Sequence, residues 1–421
     1  MTIEERLILA DGRPTGFDYM RIALAMMIVV FHTCAISYGT AAQNALATGQ
    51  TRPFWAIILI MFFALSGFLV AMSLTRSKTV ISFLGLRLLR LGPALIVESV
   101  ISLLFLGAIF TTLPIQTFFS RGDTWSYLLN IIGIIHFTLP GVFESNPNVA
   151  VNGQLWTLPW ELKCYGVIAF VSMFGAFKSK RWLVITLLIM QLGASWRFFT
   201  HQPHDIGLMN NWGLVLAFMY GIAIYRFRND IIFSATICAI AMVLSIILLS
   251  AYQTYIFSPL PVAYMTVYLG LLRPKVVWPL TTGDYSYPIF LYGYPIQQAV
   301  AAVAPWSRHW SMNLALSLPL IWGVSALSWH FVEKPAQKFR RPLFKFEASA
   351  MSASAQALSA LRRASPFRHA AVRRAAARQE LQHQLDSRRL SAIAGAADGV
   401  AELSAAGAPA LSPATNETLA G

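Results

Sequence analysis

Two ionisable side chains lie eleven residues apart in an otherwise apolar stretch, FDYMRIALAMMIVVFH, Phe17 to His32. An α-helix turns about 100° per residue, so Arg21 and His32 share one face, separated by roughly 16 Å along the axis. Asp18 precedes Arg21 by three positions, close enough for a contact within the same turn. The bland reading makes Arg21 a boundary anchor and gives His32 one interhelical hydrogen bond. Ionisable groups at membrane depth are costly, however, and usually line a functional cavity. A neutral imidazole there can take a proton from a hydroxyl, which is the work of a general base.

Four further stretches carry candidate chemistry. NGQLWTLPWELKCYG, Asn152 to Gly166, holds Glu161 about eight residues inside an apolar run. His32 lies about six residues from the end of its own run. At ~1.5 Å per residue the two depths nearly match, so Glu161 is expected to face the imidazole and orient it; a structural pair with Lys163 or another buried cation is the plainer alternative. Asn152 and Trp156 in the same stretch are candidate substrate contacts. FLGLRLLRLGPAL, Phe83 to Leu95, places Arg87 and Arg90 on one helical face, where two guanidiniums suit phosphate oxygens; topology-setting arginines would look the same. FFALSGFLV, Phe62 to Val70, offers Ser66 and Gly67, small residues that allow close helix approach or leave room for a cofactor. DYSYPIFLYGYPIQQ, Asp284 to Gln298, brings Tyr287 and Tyr292 into another run, either as part of an interfacial aromatic belt or as a wall against sugar or acyl groups.

The elements that must position these residues are membrane helices. Of 421 residues 56% are apolar and 12% charged, and mean hydropathy is +0.58. One soluble core cannot hide so much apolar surface. Ten spans are predicted, at 18–38, 53–74, 92–113, 153–177, 182–199, 211–226, 231–251, 259–272, 285–304 and 311–332. The first reads as a retained helix, because no small-residue cleavage site follows it. Segment 125–139 is short and polar. Were it to cross fully, the basic loop KSKR and every later basic loop would change sides, so it is expected to be re-entrant or interfacial, with both termini cytoplasmic. The net charge of +14 is mostly a tail and loop property, since thirteen of 32 Lys and Arg follow Glu333. Membrane topology accounts for this better than nucleic-acid binding. Residues 1–346 form the expected membrane domain. Residues 347–421 form a basic Ala/Ser/Arg-rich cytoplasmic tail, partly helical and otherwise disordered. Cys34, Cys164 and Cys238 lack metal-ligand spacing, and no metal is expected.

In their order FDYMR…VVFH, FFALSGFLV, RLLRLGPAL, NGQLWTLPWE, YSYPIFLYGYP and FVEKP, the motifs from Phe17 to about Pro335 resemble the acyltransferase 3 family of bacterial integral-membrane O-acyltransferases. The family's arginine and histidine, with ten residues between, fall on Arg21 and His32. Its paired arginines fall on Arg87 and Arg90, and its motif glutamate on Glu161. The resemblance implies an inner-membrane enzyme with an acyl-coenzyme A donor, acetyl-coenzyme A first, and a carbohydrate acceptor such as exopolysaccharide, O-antigen or another envelope glycan. One departure matters. Many members carry a histidine where this chain has Gly293, so the base assignment rests on His32. The competing readings are a non-enzymatic exporter of a lipid-linked glycan with a His32/Glu161 proton relay, and an inactive partner subunit. Absence of internal repeats counts against the exporter.

Overall fold

A computed structural model of the chain describes residues 1–10, 14–75, 79–173, 179–200, 211–275, 277, 283–364 and 377–387. Among them every extended regular element is a helix, and strand-like pairing is confined to isolated bridges at Thr2–Ile232 and Thr111–Val142. The chain divides into two units, Met1–Glu347 and Ala348–Gly421.

The first unit begins with α1 (Ile3–Ile8), α2 (Thr15–Tyr38), α3 (Thr40–Thr48), α4 (Arg52–Leu74) and α5 (Val80–Ile101). Short helices follow: α6 (Gly107–Phe110), α7 (Ile115–Ser120) and α8 (Gly122–Ser126). Next come α9 (Leu158–Met173), α10 (Lys180–Thr200), α11 (Asn211–Arg226), α12 (Ala235–Ser250) and α13 (Pro259–Gly270), then α14 (Ser286–Val303) and α15 (Trp310–Ser328). Local chemistry sets several of the ends. The Thr2 hydroxyl and the Glu5 carboxylate close a reciprocal cap on α1, and Thr79 caps α5 through the Ser82 amide. Helix α2 stops at Gly39, whose φ of 89° suits a residue without Cβ.

Five helical runs are long and apolar enough to cross a membrane: Thr15–Tyr38, Arg52–Leu74, Ser82–Phe110, Lys180–Thr200 and Trp310–Ser349. The other predicted spans coincide with shorter helices. For example, α13 has 12 residues, about 18 Å of helix. Segment 125–139 contains a six-residue 3₁₀ turn, Tyr127–Ile132, and then irregular chain. Two boundaries differ from expectation in ways that matter for the site. The third run does not begin at 92: α5 starts at Val80 and tolerates Pro93 inside it, so Arg87 and Arg90 lie within the helix rather than ahead of it. The fourth does not begin as a helix at 153. Gly153–Thr157 is a 3₁₀ turn, and Pro159 sits in the first turn of α9, where its missing N–H costs nothing. Residues 174–178, where that span was expected to end, lie outside the described residues, as do 365–376 and 388–421 of the tail. Residues 377–387 are helical.

Apolar helices gain little from meeting each other in lipid, so close backbone approach must hold them. Helices α4 and α11 supply it. A Cβ on Gly67 would strike the Phe218 carbonyl, and one on Gly221 would strike the Ala64 carbonyl. Backbone cannot step aside as a flexible side chain can. A Gly221→Val protein is therefore expected to lose about 1–3 kcal/mol or more of stability, read as reduced folded yield and lower melting temperature in detergent. A valine protein with unchanged melting would show that the two helices do not meet there.

Candidate active site

Helix α4 presents a stripe at helical spacing: Trp55, Ile58, Leu59, Phe62, Ser66 and Leu69. Two cavities open along it. The first, about 410 Å³, contains His32 of α2, Gln43 of α3, and Gln154 and Trp156 of the 3₁₀ turn before α9. The second, about 50 Å³, contains Arg21, Ser66, Arg87, Arg90, Glu161 and Tyr287. Leu59, Thr157 and Phe290 line both, so they form the wall between the histidine cavity and the arginine cavity. Helix α2 thus carries Arg21 to one cavity and His32 to the other. Helix α14 does the same with Tyr287, Phe290 and Tyr294, a stripe of three and four residues' spacing.

In the histidine cavity the imidazole of His32 lies edge-on to Tyr294, with ring centroids 5.3 Å apart. Gln43 Nε2 is 3.1 Å from His32 Nδ1 and donates to the Phe31 carbonyl at 3.2 Å. Gln43 is therefore the group that orients the ring. The expectation that Glu161 does so is corrected. Because α9 starts late, Glu161 falls in its first turn, lines the other cavity, and accepts a hydrogen bond from Tyr165 Oη at 2.5 Å.

An acid from the chain before α14 pairs with two of the arginines that line the second cavity. Asp284 Oδ2 lies 3.2 Å from Arg21 Nη1 and 3.0 Å from Arg90 Nη2. Arg21 Nη2 also pairs with Asp18 at 2.8 Å. Burial pushes the Asp284 carboxyl up, but Arg21 and Arg90 outweigh it and hold it at about 2, so it stays charged at neutral pH. Arg87 Nη2 donates to Ser73 Oγ at 3.0 Å. The arrangement can bind anionic oxygens at one end and handle a proton at the other.

Three candidate contacts lie elsewhere. Asn152 is fully buried and lines neither cavity: its Nδ2 donates to Glu98 Oε1 at 2.8 Å and to the Leu291 carbonyl at 3.0 Å. Tyr292 is also buried and accepts from Ser328 Oγ at 3.3 Å. It is five positions from Tyr287, about 140° around the helix, so the two cannot share a face. Gly67 faces α11 rather than a cavity. Tyr287 lines the arginine cavity and donates to the Leu91 carbonyl, whereas Trp156 lines the histidine cavity.

Sequence reasoning missed Asp284, Gln43, Gln154 and Glu98. Glu98 gave a signal, a lone carboxylate in ALIVESVISLL. Its Oε1 accepts from Asn152 and from Ser102 Oγ, which pins the start of the 153–157 turn to α5. Among the described residues no group of three or more His, Cys, Asp or Glu side chains is placed to hold a metal.

Comparison with known proteins adds to this geometry. The family model described as an acyltransferase domain (acyltransferase 3) matches residues 15–333. An O-acetyl transferase of Shigella phage Sf6 is 27% identical over 344 residues, 76% of this chain and 94% of the relative. Nodulation protein 10 of Rhizobium leguminosarum bv. viciae is 26% identical over 377 residues, 79% of this chain and 96% of the relative. No solved structure matches the chain significantly.

Proposed function

The chain belongs to the acyltransferase 3 family, and from that membership we propose that it is an O-acetyltransferase moving an acetyl group from acetyl-coenzyme A to a hydroxyl of an envelope or exported carbohydrate. The reading places it in the bacterial inner membrane with ten spans, both termini cytoplasmic and the basic tail 347–421 on that side. The observation that carries it is the pair of cavities on one stripe of α4, with arginines in one, a histidine in the other, and a wall one side chain thick.

Arg87 and Arg90 receive the donor's phosphates, with Ser66 and Glu161 on the same cavity, Asp284 tying Arg90 to Arg21, and Asp18 pairing with Arg21 in turn. The pantetheine arm passes Leu59 and Phe290, bringing the thioester to His32. The acceptor oxygen attacks the thioester carbonyl while its proton moves to the His32 imidazole. The C–S bond breaks, and the thiolate takes up a proton. Gln43 Nε2 donates to the Phe31 carbonyl and faces His32 Nδ1, so it holds the imidazole from its Nδ1 side. The exporter reading fails on two grounds. The chain is an acyltransferase, and its supposed relay pair, His32 and Glu161, is split between cavities.

Mass spectrometry of surface and exported glycans from a deletion strain tests the proposal. The expected result is the loss of one acetyl mass per modified unit, restored by the gene in trans. Glycans identical to those of the parent would overturn it.

A further inference from the structure

The histidine cavity contains a polar group that the mechanism above does not use. Gln154 is 1% exposed, and neither its Nε2 nor its Oε1 has a hydrogen-bond partner. Trp55 Nε1, on the same cavity, is likewise buried and unpartnered. Buried amides are almost always satisfied, so an orphaned one facing a cavity points to a ligand that supplies its partners. A primary amide offers a donor and an acceptor side by side. Two hydroxyls on neighbouring ring carbons match that pair, one accepting from Nε2 and one donating to Oε1. Trp55 and Trp156 add the flat apolar surface a sugar face needs.

The rest of the lining narrows the class. Apart from His32 its polar members, including Thr40, Gln43, Asn44 and Asn148, are uncharged, and among the described residues no Asp, Glu, Lys or Arg side chain lines the cavity. A carboxylate or ammonium group brought in would be buried without a counter-ion, which is strongly disfavoured. Resting on the carbohydrate reading above, we propose that the acceptor is a neutral sugar with a vicinal diol, and that Gln154 is the residue that grips the diol and excludes uronic and amino sugars.

The test uses full-length protein in nanodiscs, acetyl-coenzyme A, and methyl pyranosides in neutral, uronate and amino forms. Wild type is expected to favour the neutral glycoside over both charged forms by at least tenfold in kcat/KM. Gln154→Ala should raise the neutral-acceptor KM at least tenfold and leave the donor KM within twofold. Gln154→Glu keeps the shape but carries a charge, so it should shift preference toward the amino glycoside; this arm remains readable if the alanine protein folds poorly. A wild type indifferent to acceptor charge, or a Gln154→Ala protein with unchanged acceptor KM, overturns the inference alone. A wild type that acetylates no glycoside overturns the carbohydrate reading and this inference together.

Discussion

A His32→Ala protein is expected to lose roughly 10²–10⁴-fold in kcat, the span associated with removing a positioned general base, while binding acyl-coenzyme A as before. The donor's phosphates are assigned to the other cavity, and among the described residues the polar contact of His32 is with Gln43. Its loss therefore strands no buried charge. Transfer of labelled acetyl from coenzyme A to glycan in membrane vesicles would report kcat, with protein level checked by immunoblot. Glu161→Gln is the informative companion. Because Glu161 lines the arginine cavity, its substitution should act on the donor KM more than on kcat. Full transfer by His32→Ala at normal protein level would remove the base assignment. An equal kcat loss from Glu161→Gln would return the carboxylate to the chemistry.

The second large effect is expected from Arg90→Ala. A hydrogen bond between charged groups contributes about 1.5–3 kcal/mol, so the donor KM should rise about 10–100-fold. Arg90 is also one of two guanidiniums on Asp284. Removing it leaves a half-buried carboxylate with one guanidinium partner fewer, and a fall in melting temperature should accompany the rise in KM. An acetyl thioester on a bare pantetheine arm separates the two roles. Lacking phosphates, it should be indifferent to the substitution once stability is accounted for. Equal sensitivity of both donors would assign Arg90 to architecture alone.

The legible parts of the site were those fixed by helical periodicity. The eleven-residue step from Arg21 to His32 and the three-residue step from Arg87 to Arg90 are statements about faces of single helices, and hydropathy marks where the helices lie. The illegible parts depended on where a helix begins and on which helix meets which. In a span beginning at 153, Pro159 suggests a kink one turn in, yet it stands in the first turn of α9. That later helix start moved Glu161 from the imidazole to the arginines. Asp284 stands just before α14, where sequence alone shows an acid ahead of an aromatic run; its role appears only when α2 and α5 bring Arg21 and Arg90 to it. Asn152 looked like a substrate contact because it is polar beside a motif, but its partner Glu98 is 54 positions away.

The arginine cluster also has an electrical consequence. Arg21, Arg87 and Arg90 carry three positive charges on the small cavity, against three negative ones: Glu161 on the same lining, and Asp18 and Asp284 paired to its arginines. Within this cluster the charges cancel, so it casts little field beyond itself and attracts a distant anion weakly. Under the proposed reading a donor gains from the guanidiniums only on contact, when a phosphate oxygen takes a place beside them that Asp284 otherwise holds. Capture should then be gated by local exchange of partners rather than by long-range steering. Its association rate should vary little with ionic strength, where a bare arginine pair would lose its pull as salt is added.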